Sequence, residues 1–315
     1  MHPMRGNYVN YGKYSILAKG PDLETMDYRD IAVIGGDRRT LHMASALLRD
    51  GCRVICYGTL EFPAGEKDAF RQTPPPREAA SLKEALTSAG CVVCGIPMEK
   101  EGYLCCRERI PVSELQRNLR KKQKLFGGLI SEELRHHCEE REIECHDFLK
   151  DEPLTLFNAV ATAEGAILEA LSHKERLLHQ SSCLVLGYGR CGSLIAEKLR
   201  GLCALVSVTD RSETKLALAA AKGFSVFPLA SLAENVSRFE YLFNTIPACY
   251  LGAACLPEVR RDSLIIDVAS GRTGVDYDVA KELSLTALFC PGLPGKYAAG
   301  SCGERLAKFV LQTIN

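Results

Sequence analysis

The chain has 315 residues, 46% of them apolar and 25% charged, and its 39 basic and 39 acidic side chains cancel. This is the make-up of a globular protein with room for two domains of ordinary size. The even charge balance argues against nucleic acid or an anionic membrane as a partner, and no apolar run reaches the roughly 18 residues expected of a bilayer-spanning segment.

Residues 1–27 carry Tyr8, Tyr11 and Tyr14 but no apolar signal-peptide core, and read as an N-terminal extension. Fifteen cysteines, an odd number without a signal peptide, indicate reduced thiols in a reducing cytoplasm. Cys91 and Cys94 lie in one apolar run, where a strand turns them to opposite faces, so they are expected to be buried small residues and no metal site is expected.

From residue 30 the chain alternates strand and helix. Asp30 to Ile34 reads as a strand, followed by the turn Gly35-Gly36-Asp37-Arg38-Arg39, a helix from Leu41 to Leu48 and a strand from Arg53 to Tyr57. Asp37 would repel a pyrophosphate at that helix start, or serve only as its cap. Phe62 to Arg77, with three consecutive prolines, reads as a loop. Ser81 to Ala89 and Val112 to Lys122 read as helices, Cys91 to Gly95 as a strand, Leu125 to Gly128 as a strand and turn, Ser131 as a helix cap, and Glu144 to Leu149 as a last short strand. A long bridging helix is expected from Phe157 to about Leu178.

The second half is organised around Cys183 to Gly192, an apolar strand ending in Gly187-x-Gly189-x-x-Gly192. An amphipathic segment from Ser193 to Leu202 follows, then a second strand closed by Thr209-Asp210, with Asp210 23 residues beyond Gly187. This spacing is that of a dinucleotide site. The three glycines give a tight turn, close approach of backbone to pyrophosphate and close helix–strand packing, and the helix N–H groups face the phosphates. Further strands near Val226, Leu242, Ile265 and Leu288 complete a parallel sheet, and a last helix runs from Ser301 to Leu311. Three turns should rim the cofactor: Asn244-Thr245-Ile246-Pro247, Asp267-Val268-Ala269-Ser270 and Pro291-Gly292-Leu293-Pro294-Gly295. The reading is therefore α/β: two Rossmann-like, doubly wound parallel-sheet domains joined by a long helix with a cleft between them. The first covers residues 28–157 plus a C-terminal helix at 298–315, and the cofactor domain covers 158–297.

These features together, with Gly35-Gly36-Asp37-x-Arg39, Asn158 and Glu164-Gly165 at the bridging helix, and Pro-Gly-Leu-Pro-Gly near the end, resemble the A-subunit family of dipicolinate synthase over residues 30 to 313. The resemblance implies NAD(P)-dependent dehydration and oxidation of 4-hydroxytetrahydrodipicolinate, a pyridine-dicarboxylate precursor, to dipicolinate during sporulation. It also implies partnership with the flavoprotein-like B-subunit of that enzyme, and a place in the mother-cell cytoplasm of a spore-forming bacterium; a homo-oligomer is expected. Two residues depart from the family pattern. Gly271 stands where a basic residue is usual, with Arg272 one place later, and Asp210-Arg211-Ser212 carries an acid where some members have none.

That chemistry needs a cation for the carboxylates and a base for the ring proton. Arg39 is the first candidate clamp and Arg272 the second, since a guanidinium binds carboxylate bidentately. Ser270 and Asn158 are the other expected substrate contacts; Asn158 would orient substrate or the nicotinamide amide, or cap the helix. Glu164, placed near the start of the bridging helix and facing the cleft, is a candidate base, with Asp37 and His146 as alternatives; Glu164 could equally act through its charge on the helix. Cofactor contacts are expected from Gly187, Tyr188, Gly189, Arg190, Cys191, Gly192, Asp210, Arg211, Ser212, Asn244, Thr245, Pro247, Pro291 and Gly292. Cys191 is expected to be a small spacer whose pKa the helix N–H groups lower. Asp210 argues for NAD and the Arg211-Ser212 pair for NADP, so both are expected to bind. Two other readings stand beside this one: a D-2-hydroxyacid or alanine dehydrogenase relative, disfavoured because Pro291 to Ala299 lacks a histidine, and a non-catalytic nucleotide-binding scaffold for that B-subunit.

Overall fold

The computed structural model describes residues 26–60 and 76–315. The tyrosines of the extension and most of the proline-rich loop lie outside the described residues.

Two six-stranded, wholly parallel sheets form the frame. The first contains β1 (Asp30–Ile34), β2 (Arg53–Tyr57), the two-residue β3 (Arg77–Glu78), β4 (Cys91–Cys94), and, beyond a short antiparallel pair β5 (Glu99–Lys100) and β6 (Tyr103–Leu104), β7 (Lys124–Gly127) and β8 (Glu144–Asp147). Its spatial order is β3-β2-β1-β4-β7-β8. The interleaved helices are α1 (Arg38–Arg49), α2 (Leu82–Thr87), α3 (Val112–Asn118) and α4 (Glu132–Glu140).

The helix α5 (Glu152–His173) leads to the second sheet, of β9 (Ser182–Leu186), β10 (Leu205–Asp210), β11 (Ser225–Pro228), β12 (Tyr241–Asn244), β13 (Leu264–Asp267) and β14 (Thr286–Phe289). Its order, β11-β10-β9-β12-β13-β14, repeats that of the first. The helices here are α6 (Arg190–Gly201), α7 (Glu213–Ala221), α8 (Leu232–Asn235), α9 (Tyr277–Glu282), α10 (Leu293–Tyr297) and α11 (Ala299–Ile314).

Both faces of each sheet are covered, which is why the strands are continuous apolar runs without alternation. In β9, Cys183 and Val185 point to a core shared with α5 and α6, while Leu184 and Leu186 point to one shared with Leu232, Leu256 and Ala280. In β4, Val92 and Cys94 face Leu82, Leu115 and Leu134, and Cys91 and Val93 face Met43 and Leu47 of α1. The last helix returns to this first sheet, where Leu306, Ala307 and Val310 enter the same cluster as α1. Leu154 of α5 belongs to the first sheet's core, and Ala163, Ala166 and Ala170 belong to the second's.

Helix α5 starts five residues earlier than the sequence pattern indicated. Asp151 caps it by accepting from Leu154 N at 2.8 Å, and Pro153 sits in its first turn, where its missing N–H costs nothing. Asn158 is therefore inside the helix and not a cap, and Glu164 is at its middle. The helix is also long and apolar enough to cross a bilayer, contrary to the expectation from the sequence, but over half of that stretch is buried within the protein. The Pro-Gly-Leu-Pro-Gly segment, expected as a turn, forms α10, with Gly292 as its left-handed N-cap.

Candidate functional site

The turn between β9 and α6 borders a cavity of about 350 Å³. Gly187 has φ +89°, and its N–H donates to Thr209 O on β10 at 2.8 Å. A Cβ on Gly192 would overlap the Gly187 carbonyl, so only glycine lets α6 approach the turn this closely. Gly189 differs from both: a Cβ there would meet nothing within 4 Å and would project into open space at the cavity wall. As N-cap of α6 it supplies no side-chain acceptor, so the first N–H groups of that helix are left for a ligand. Tyr188 turns its side chain away from the cavity, into the core beside Phe224.

Asp210 closes β10 at the cavity. Its Oδ2 accepts from Tyr188 N at 2.7 Å and its Oδ1 from Ser212 N at 2.9 Å, and Lys215 Nζ lies 3.6 Å from Oδ2. Burial alone would raise this carboxyl; the two backbone N–H groups and the Lys215 ammonium outweigh it and hold the pKa below the usual range. Arg211 lines the same cavity, whereas Ser212 caps α7 by accepting from Lys215 N.

The far wall comes from the turn after β12. Thr245 Oγ1 donates to Leu186 O at 2.8 Å, and Thr245, Ile246 and Pro247 border the cavity. Asn244, expected at the cofactor, is fully buried instead. Its amide donates to Asp267 Oδ1 at 2.9 Å and its Oδ1 accepts from Ile246 N at 3.1 Å, so it shapes the turn without reaching the cavity. Asp267 is also fully buried and accepts from Tyr277 OH at 2.7 Å, with the Arg272 guanidinium stacked 4.5 Å over the Tyr277 ring. Ser270, Pro291 and Gly292 are exposed, and none of them lines the cavity.

Sequence reasoning missed Lys215, Leu229, Ala248 and Tyr250, which complete the cavity wall. The signal for Lys215 was its place one turn into the helix that follows Asp210. The apolar three have no motif.

The corresponding turn in the first sheet is closed by the chain itself. Gly36 N donates to Cys105 O at 2.6 Å, and a Cβ on Gly35 would collide with Cys105 and Cys106. The segment 105–107 thus fills the crevice that a phosphate would need, a more direct obstacle than the charge of Asp37. Asp37 does cap α1, accepting from Arg39 N at 2.9 Å.

Arg39, expected to reach a substrate carboxylate, is turned inward. Its side chain is 6% exposed, and the guanidinium donates to both Asp37 oxygens and, at 2.6 Å, to Ile96 O. Glu164 does not face the cleft: its side chain is 60% exposed and pairs with Lys198 of α6 at 2.8 Å. Arg190 is likewise held by Glu152 at the start of α5. His146 stacks on Phe126 in the outer strand β8, paired with Glu144. For Cys191, burial pushes the thiol pKa up against the pull of Thr162 and Arg190, so the expected lowering by helix N–H groups does not prevail.

Asn158, also expected as a substrate contact, is placed differently from Arg39, Arg272 and Ser270. Both its side-chain polar atoms are buried and neither has a hydrogen-bond partner. One turn on from it, Thr162 reaches Cys191 at the head of α6, and Gly165 and Glu169 meet α10. A buried amide without partners carries an unmet cost that a bound polar group would relieve.

Two doubly wound parallel sheets with one open glycine turn over a cavity define a Rossmann-type α/β protein of the dehydrogenase-like architecture. Residues 30–149 match the family model of the N-terminal domain of the dipicolinate synthase A-subunit. The A-subunit of dipicolinate synthase from Bacillus subtilis (strain 168) is 29% identical over 294 residues, covering 90% of this chain and 95% of that protein. The crystal structure of the corresponding Bacillus halodurans protein superposes with a TM-score of 0.76 at 25% identity, covering 90% and 97% of the two chains. An L-alanine dehydrogenase shares the fold alone, with a TM-score of 0.56 at 15% identity over 90% of this chain and 89% of its own. Over 90% of its length the chain is thus similar to the A-subunits of dipicolinate synthase, and the family-model match lies in its first domain.

Proposed function

We propose that the chain is a nicotinamide-dinucleotide-dependent oxidoreductase acting on the hydroxytetrahydrodipicolinate or dihydrodipicolinate ring, with dipicolinate as product and, as partner, a second, flavoprotein-like subunit. The observation that carries the dinucleotide part is Gly189, whose Cα forms the cavity wall where any side chain would occupy the ligand's space. The residues present fit such a group: free N–H groups at the head of α6 for the pyrophosphate, Asp210, Arg211 and Lys215 beyond them, and Tyr250 and Leu229 as apolar walls. When bound, the dinucleotide would supply the hydride acceptor.

The protein's own residues would orient the ring and carry its protons. Asn158 offers a buried donor and acceptor on α5, one turn before the contact with α6, suited to a substrate carboxylate or to the cofactor's carboxamide. Asp37, at the junction with α10 and 37% exposed, is the carboxylate placed to take a proton, with Arg39 fixing its orientation.

A second reading, a nucleotide-binding scaffold for the partner, draws on two observations: Arg39 is engaged inside the fold, and Arg272 is stacked on Tyr277. The purified chain with NAD⁺ or NADP⁺ and freshly generated hydroxytetrahydrodipicolinate separates the two. Appearance of the pyridine product's absorbance without the partner supports the enzyme. Dinucleotide binding without turnover, restored by the partner, supports the scaffold.

A further inference from the structure

We infer that Cys138 and Cys145 form a modification site: a thiol pair at the outer edge of the first sheet that closes to a reversible disulfide and locks α4 onto β8. This goes beyond the oxidoreductase reading and does not depend on it. Both are thiols in the structure, Cys138 fully buried in the last turn of α4 and Cys145 partly exposed in the outermost strand. A short turn joins them. Glu142 takes a left-handed φ of +53°, and Ile143 N donates to Cys138 O at 2.9 Å, so the chain reverses into β8 directly beside the helix end. Both side chains then pack in one apolar cluster, and the Cys145 S–H donates a hydrogen bond to the Cys138 sulfur. Sulfurs already in contact can bond with little movement of the backbone.

The surroundings favour a thiolate at this pair. Arg135 lies one turn earlier on α4, with a side chain 18% exposed. Its Nε and Nη2 are buried without a hydrogen bond, and the Glu132 and Asp147 carboxylates stand off at 3.7 and 3.5 Å. The Cys145 S–H, helped by the Arg135 charge, pulls the Cys138 pKa below the ordinary thiol range, against burial and the Glu139 carboxylate. Cys94, in the same cluster, is instead pushed up to about 12 by burial, so it stays a thiol and does not compete. The proton shared between the two sulfurs moves to Cys138 when Cys145, the accessible partner, reacts. The Cys145 thiolate attacks one sulfur of a small-molecule disulfide and expels the other as a thiolate. The Cys138 sulfur then attacks that of Cys145 and expels the second. One S–S bond forms in the protein and one breaks in the oxidant; the two cysteines lose two electrons, the oxidant gains them, and the two cysteine protons end on the released thiols.

The test uses the full chain, reduced and freed of reductant, then incubated with graded ratios of oxidised to reduced glutathione, alkylated and digested with trypsin. Cleavage after Arg135, Arg141 and Lys150 should release peptides 136–141 and 142–150 joined by one bond, before any other cysteine pair is linked, and dithiothreitol should separate them. The linked chain should unfold at a higher urea concentration than the reduced one. Cys138→Ser should stop at a mixed disulfide on Cys145, and Cys145→Ser should leave the buried Cys138 unmodified. Arg135→Met should slow linkage about 10-fold at about pH 7, and Arg135→Lys, which keeps the charge, should restore most of the rate. Absence of the joined peptides, whether or not other cysteines react, overturns the inference. So does an unaltered chain that halts at the mixed disulfide on Cys145, or an Arg135→Met variant that links as fast as the unaltered chain.

Discussion

The carboxylate of Asp37, on the turn after β1, lies against the α-carbon of Gly295 in α10, so closely that a methyl group at 295 would overlap Asp37 Oδ2. Asp37 belongs to the first sheet's turn and α10 follows the last strand of the second, so this is where the two sheets' ligand-facing edges meet. Arg39 holds the carboxylate in place from behind. Gly295→Ala should lower stability by about 1–3 kcal/mol, the usual cost of overpacking a tight contact. Asp37→Ala in the same chain should recover most of it, and urea midpoints of the two single variants and the double measure that coupling.

Arg39→Lys keeps the charge but loses the fork that spans Asp37 and Ile96 O. With Arg39 turned inward, the change should cost about 1–3 kcal/mol of stability. Substrate KM should change only through the displaced Asp37. A raised KM with an unchanged urea midpoint would instead mean that Arg39 reaches the substrate directly.

Gly189 and Gly192 should part company under mutation. Gly189→Val meets open space and should leave the melting temperature within about 2 °C, while abolishing dinucleotide titration. Gly192→Ala drives a methyl into the Gly187 carbonyl and should unfold the turn, visible as a lower melting temperature before any ligand is added. Normal dinucleotide binding by Gly189→Val would remove the assignment of the cavity.

Glu169 ties α5 to α10. Its buried carboxylate accepts from Lys296 at 2.6 Å and from Tyr297 OH at 2.9 Å. Burial would raise its pKa, but Lys296 and Tyr297 outweigh burial and hold it below the usual glutamate value of about 4.3. The stability this gives is fully present above about pH 4.3 and is lost as pH falls through the depressed folded value. Lys296, raised above its ordinary range by the same pair, contributes stability present below about pH 10.4 and lost as pH rises beyond it. Stability of Glu169→Gln, followed by urea unfolding from about pH 3 to 7, should therefore rise less steeply with pH than that of the unaltered chain. Parallel curves would show that the pair contributes nothing.

The sequence by itself determined the parallel α/β layout and the location of the open glycine turn. Strands buried on both faces must be continuous apolar runs, and a turn that approaches a pyrophosphate admits only glycine at fixed spacing, so both leave local marks. It also supplied Asp210 and Arg211 at the cavity. Only the tertiary structure decided which charged groups are free. Arg39 reads as a clamp in the sequence, but Asp37 two residues before it and Ile96 from a distant loop take up its donors. Glu164 reads as a base, but the true start of α5, set by the Asp151 cap, places it mid-helix beside Lys198. The closed first turn depends on residues 105–107 folding back some seventy positions, a contact with no local pattern. Motifs record backbone geometry and strand burial, which are local constraints; the partners of a side chain are set by whatever the fold brings beside it.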